Sequence, residues 1–195
     1  MRYRAIFYIA VFCVLGLAQG ALAAPETYTL DPNHTNVLWF ADHFGFSSPS
    51  GKFTDVAGTL TLDEEKPENS KLEVTIQTVS LMTGIPKFDD HLRSKDFLDV
   101  EKYPTATFVS THIEKTGDKT AKVTGKLTLH GITQSLTLDV TLNKIGTSLA
   151  HPKKTAGFSA KATLLRSYYK MGYGIPGVSD EVQLLIETEA NLADQ

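Results

Sequence analysis

Apolar and polar residues alternate along most of the chain. Val56, Gly58, Leu60 and Leu62 are interleaved with Ala57, Thr59 and Thr61. Leu72, Val74 and Ile76 are interleaved with Glu73, Thr75 and Gln77. The same period of two runs through Val123, Gly125, Leu127 and Leu129, and again through Leu136, Leu138, Val140 and Leu142. Ala156, Phe158, Ala160, Ala162 and Leu164 form another set, and Val182, Leu184, Ile186 and Thr188 the last. A strand sends successive side chains to opposite faces, so this pattern predicts antiparallel strands with one apolar and one solvated face. Residues 28–30, 37–40 and 106–113 add further strands, for roughly eight or nine in all.

Turn signals separate these runs. Lys66-Pro67-Glu68-Asn69 and Lys115-Thr116-Gly117-Asp118 punctuate two hairpins, and His130-Gly131-Ile132-Thr133-Gln134 joins two strands closely. Residues 84–103 lack period two. There Asp89 is placed to cap a short helix carrying Leu92 and Lys95, with Phe88 stapled against Leu92, and Pro104 starts the next strand. No linker, repeat or low-complexity run divides the chain, so residues 24–195 read as one domain.

So many antiparallel strands must hide one apolar face each. A sheet closed on itself does this and removes its own edges. The expected fold is all-β, an eight-stranded antiparallel barrel with a short helical insertion. A barrel of that size is either filled by its own side chains or holds one small ligand, and the pattern leaves both open.

Residues 1–23 stand apart. Met1-Arg2-Tyr3-Arg4 is a short positive start, residues 5–17 carry no charge, and Ala21-Leu22-Ala23 has the small-x-small form of a cleavage site. This reads as a secretory signal peptide, too short in its apolar run for a membrane span of about 20 residues. Cys13 is the sole cysteine and lies within that run, so the exported domain has no disulfide framework or thiolate metal site.

Composition narrows the function further. The formal net charge is -3 with both signs interspersed, which excludes the basic stripe of a nucleic-acid-binding protein. Six histidines are scattered without the paired spacing of a metal motif, and no metal is expected. Asp89-Asp90-His91 is the most compact acid–histidine cluster. There is no Gly-x-Ser-x-Gly elbow, phosphate loop or dinucleotide fingerprint, so neither catalysis nor a cofactor is expected. Gly172-Tyr173-Gly174-Ile175-Pro176-Gly177, beside Tyr168, Tyr169 and Met171, reads as a loop able to form an adaptable apolar lip.

Three motifs resemble those of the YceI-like family of periplasmic polyisoprenoid-binding proteins. The first is Asp31-Pro32-Asn33-His34-Thr35-Asn36-Val37-Leu38-Trp39-Phe40, continued by His43-Phe44-Gly45-Phe46. The second is Asp90-His91-Leu92-Arg93-Ser94-Lys95-Asp96-Phe97-Leu98-Asp99, with Tyr103-Pro104-Thr105-Ala106-Thr107-Phe108. The third is Gly125-Lys126-Leu127-Thr128-Leu129-His130-Gly131-Ile132-Thr133. The resemblance implies an extended lipocalin-like barrel with a hydrophobic tunnel, holding a polyisoprenoid or isoprenoid-quinone tail with its polar end near the mouth. The expected lining is Leu38, Phe40, Leu60, Leu62, Val74, Ile76, Phe108, Leu127, Leu129, Leu138 and Phe158. His34, His91 and Arg93 are expected to form one polar cluster, fixing the loop near Asp31 or meeting the ligand's polar end. The expected protein is a periplasmic, non-enzymatic carrier, monomeric or homodimeric, with a long-chain isoprenoid lipid as partner and transient membrane contact. A small secreted enzyme acting at the histidine cluster and a filled stress-response barrel without ligand are the alternatives.

Overall fold

The computed structural model describes residues 24–149 and 152–194; the expected signal peptide lies outside them. The strand segments are β1 (Glu26–Leu30), β2 (Asn36–His43), β3 (Ser50–Phe53), β4 (Val56–Leu62), β5 (Lys71–Gln77), β6 (Leu81–Met82), β7 (Thr105–Lys115), β8 (Thr120–Leu129), β9 (Ile132–Thr147), β10 (Lys154–Leu165) and β11 (Val178–Leu192). Among the described residues one α-helix, α1 (Pro86–Arg93), is found, between β6 and β7. All pairings among the described residues are antiparallel.

These segments build eight barrel strands, because the first three strands are each broken in two. β1 and β2 both pair with β11, Leu30 opposite Ala190 and Val37 opposite Ile186, which closes the barrel. The break between them holds Pro32, which has no N–H for a ladder, and an Asp31 carboxylate that accepts the Asn33 amide at 2.9 Å. β4 continues β3, and β6 continues β5. At those two breaks the Ser80 hydroxyl accepts the amides of Thr54 and Asp55. β5 pairs with β7 as far as Gln77 opposite Thr105, and the Thr78 amide then donates to the Pro104 carbonyl. Past that point β6 leaves β7, and the chain from 83 to 104, with α1, occupies that end of the barrel.

The helix begins earlier than Asp89. Pro86 takes the first turn, where its missing N–H costs nothing. Asp89 instead folds back on the preceding loop and accepts both the amide and the hydroxyl of Thr83. Lys95 lies beyond the helix end, and Phe88 packs against Trp39.

The barrel interior has two parts. Tyr28, Leu30, Leu60, Leu62, Ala156 and Ala190 form one buried cluster, with Phe158, Ile145 and Leu192 packed on it. This end is filled. At its surface Lys154 pairs with Glu26 and with Glu64, the latter at 2.7 Å. The Tyr28 hydroxyl donates to Glu26, and burial first, then that carboxylate, pushes the phenol's pKa up to about 12. The other cluster runs through Trp39, Leu92, Phe108, Leu127, Leu138 and Leu164, and the end of the barrel near α1 is hollow.

Candidate functional site: an apolar cavity under helix α1

The hollow end encloses about 520 Å³, within the ordinary range of small-molecule sites. Its walls are hydrocarbon: Val37, Trp39 and Ala41 of β2, Val182 and Leu184 of β11, Leu127 and Leu129 of β8, with Ile76, Ala106 and Leu164. Along β2 the lining runs from Val37 to His43, and six residue steps at about 3.3 Å each span roughly 20 Å along the tilted strand. Polar side chains touch the cavity at its mouth, where His43, His91, Tyr173 and Arg166 sit.

Three segments frame the mouth. Helix α1 brings Phe88, His91 and Leu92, followed by Phe97 and Leu98. The loop after β10 brings Met171, Tyr173 and Gly174, and the turn after β2 brings Phe44. His91 stands edge-on to Phe97 and Tyr173, with ring centroids 5.0 and 5.2 Å away. It therefore joins helix and loop through an aromatic triad, while its Nε2 lies 3.3 Å from Asp96.

Arg166 fixes the loop. Only 4% of it is exposed, and its guanidinium donates to the carbonyls of Ser179, Met171, Tyr173 and Val178. A planar, forked cation satisfies several carbonyls at once, which an ammonium does not. Burial holds its pKa below the usual arginine value, opposed by nearby Asp180. Asp180 in turn accepts the Ser167 amide and hydroxyl. The loop that the sequence marks as a lip is thus pinned at its base while Tyr173 stays half exposed at its tip.

Of the residues expected at the site, Ile76, Leu127 and Leu129 lie on the cavity wall and His91 at its mouth. The others need correction. β2 faces the other way from the reading that placed Leu38 and Phe40 inside: Val37, Trp39 and Ala41 are the buried residues. The Trp39 indole lies across Gly51, where a Cβ would come within 2.8 Å, so the missing side chain makes room for the ring. Leu60, Leu62 and Phe158 belong to the filled end. Val74, Phe108 and Leu138 point inward but pack into the core outside the cavity lining.

The polar trio does not assemble. His34 lies on the break between β1 and β2, where its Nδ1 is 2.9 Å from Asp31. That hydrogen bond, then the charge of Asp31 and of Glu189, raises the pKa of His34. Arg93 donates to the Leu81 carbonyl and lies 3.9 Å from Asp90, so it ties α1 to β6. Asp31, His34 and Glu189 bring one ligand atom each within 4.8 Å of one another, but His34 already has Asp31 as partner and is exposed. The sequence reading does not assign Arg166 as the clamp, although a lone charge directly after the apolar pair Leu164-Leu165 is visible.

An antiparallel barrel, closed around a filled end and an apolar cavity roofed by one helix, defines a lipocalin-like binding-barrel architecture. The chain belongs to the YceI-like family, whose domain matches residues 28–190. It is 39% identical over 180 residues to a UPF0312 protein of Pseudomonas putida (strain W619), covering 92% of this chain and 93% of that one. Among solved structures, Burkholderia cenocepacia BcnA is 27% identical with a TM-score of 0.75, over 82% of this chain and 98% of the other. A Campylobacter jejuni YceI protein is 32% identical with a TM-score of 0.71, over 78% and 90%. A polyisoprenoid binding domain from Saccharophagus degradans, implicated in plant cell wall breakdown, shares the fold at a TM-score of 0.66 and 14% identity, over 85% and 98%.

Proposed function

We propose that this protein is a non-enzymatic carrier that holds the apolar chain of an isoprenoid lipid or quinone inside the barrel, in the periplasm after export. The observation that carries this reading is the cavity itself: about 520 Å³ walled mainly by hydrocarbon, with His43, His91, Arg166 and Tyr173 as the few polar side chains of its lining. Such a site selects a long apolar body with one polar end. Burial contributes about 0.8 kcal/mol per methylene, offset in part by the ordering of a flexible tail. The polyisoprenoid-binding neighbour of the same fold points to the same ligand class. The polar end sits at the mouth, within reach of His91 and Tyr173.

The rim favours loading from a bilayer. Phe44 and Tyr173 line the cavity yet are 59% and 52% exposed, and Phe46 beside them is 91% exposed. Exposed aromatics continuous with an apolar opening let a hydrocarbon chain pass without crossing bulk water. The enzymatic alternative needs His34, His91 and Arg93 in one cluster, and each has its own separate partner.

Trp39 lines the cavity and is the single tryptophan of the chain, so its emission reports occupancy. Titration of the folded protein with geranylgeraniol should change that emission saturably. A flat titration, with the protein folded and free of lipid, overturns the proposal.

A further inference from the structure

Two loops at the mouth are charge-free and carry exposed apolar side chains. Residues 43–51 and 171–178 contain no Lys, Arg, Asp or Glu, in a chain that is 21% charged. Phe44 and Phe46 of the first loop, and Tyr173 and Ile175 of the second, are exposed. The two loops form one unit. The Phe44 amide donates to the Gly177 carbonyl at 2.6 Å, and the Phe44 ring occupies the place that a Cβ on Gly177 would take. His43 and Val178 pair across the same junction.

The backbone of both loops is satisfied from within. Four successive amides of the first loop have protein acceptors. His43 donates to the Ser47 carbonyl, Phe44 to Gly177, Gly45 to the Asp42 carboxylate at 2.8 Å, and Phe46 to the His43 carbonyl. In the second loop the carbonyls of Met171, Tyr173 and Val178 accept from Arg166. Those of Gly172, Gly174 and Gly177 accept from the amides of Ile175, Val178 and Phe44. At an ordinary surface water serves such groups; in an apolar layer an unpaired amide or carbonyl is costly, and internal pairing is required. The first turn also holds Phe44 at φ 56° and Gly45 at φ 72°, a pair of positions that ordinarily takes Asn-Gly. Asparagine at position 44 would serve folding better than a half-exposed ring.

We propose that these two loops form one rigid tip that docks the mouth on a lipid bilayer, with Phe46 and Ile175 as its anchors. The inference rests on the carrier reading above and adds the part of the molecule that enters the membrane and the force that holds it there. That force is apolar burial, because the tip has no lysine or arginine to offer an anionic headgroup. Phe44 and Tyr173 belong both to the tip and to the cavity lining, so docking sets the opening against the bilayer.

The test is flotation of the folded, lipid-free protein with phosphatidylcholine vesicles that contain no prenyl lipid. The protein should rise with the vesicles, and should do so equally in about 0.5 M salt, which screens charge but not apolar contact. Phe46→Ser should weaken the association about ten-fold, and Ile175→Ser should weaken it by a smaller factor. Neither should change the affinity for geranylgeraniol in solution, because neither residue lines the cavity. Protein left in the buffer layer, variants that float as well as the natural protein, or flotation confined to anionic vesicles and abolished by salt would each overturn the docking. So would a dimer in sedimentation equilibrium that Phe46→Ser dissolves, since a second copy would then cover the tip. None of these results touches the geranylgeraniol titration. A flat titration with vesicle binding intact would overturn the carrier reading alone.

Discussion

The rings of Trp39 and Phe88 meet edge to face, with centroids 6.3 Å apart and planes at 71°. Trp39 belongs to the barrel wall and Phe88 to helix α1, so the helix rests directly on the wall beside the cavity. Replacing Phe88 by Ala removes a half-buried ring from this contact. A loss of about 2 kcal/mol in urea denaturation is expected, with Trp39 emission shifted to the red. Unchanged stability and emission would show that the helix is held by its other contacts, such as that of Arg93 with Leu81.

The assignment of inner and outer faces makes a sharp pair of variants, one on β8 and one on β2. Leu127→Asp places a carboxylate in the hydrocarbon wall, where it has no partner, and should abolish uptake of prenyl lipid. Phe40→Asp falls on the outer face and should leave uptake within about two-fold. Loss of binding in a folded Phe40→Asp protein would reverse the assignment of faces.

The phase of β2 was not readable from the sequence, and the reason is local. Val37-Leu38-Trp39-Phe40-Ala41 is apolar at every position, so there is no alternation to orient it. Gly51 on the neighbouring strand decides the matter by leaving room for Trp39. Strands such as β5 and β8 were legible because Glu73 and Thr75, or Lys126 and Thr128, mark a solvated face. The division of the barrel was hidden for a different reason. Leu, Val and Ile on an inward face read alike whether the space before them is full or empty. The emptiness depends on where Phe108, Leu30 and Tyr28 reach, which is a property of three-dimensional packing. His34 and His91 looked like one cluster because both lie in polar motifs, yet a strand break fixes one and the helix the other.

Arg166 holds four backbone carbonyls of the mouth loop and the start of β11. Arg166→Lys keeps the charge but cannot reach them all. A cost of about 3 kcal/mol is expected, because buried carbonyls are left without donors. Hydrogen exchange should rise over residues 171–179, and bound lipid should leave faster. Protection equal to that of the natural protein would show that the loop holds its shape without the clamp.

The His34–Asp31 pair has a defined pH window. The pKa of His34 is raised, chiefly by its hydrogen bond to Asp31, so its stabilisation is full below the unfolded value of 6.5 and is lost as pH rises through the folded value. The pKa of Asp31 is lowered, chiefly by His34, so its share is present above 3.8 and is lost as pH falls through the folded value. The pair therefore stabilises most between those limits. His34→Ala should lower the Tm at about pH 5.5 and leave it nearly unchanged at about pH 9. A Tm difference that is flat across this range would remove the pair from the account.

The most direct test of the carrier reading is organic extraction of the protein purified from its native compartment, followed by mass spectrometry of the extract. The account predicts a prenyl lipid or isoprenoid quinone in near-stoichiometric amount, lost in parallel preparations of Leu127→Asp. A clean extract, from protein that also takes up no added isoprenoid, would contradict it.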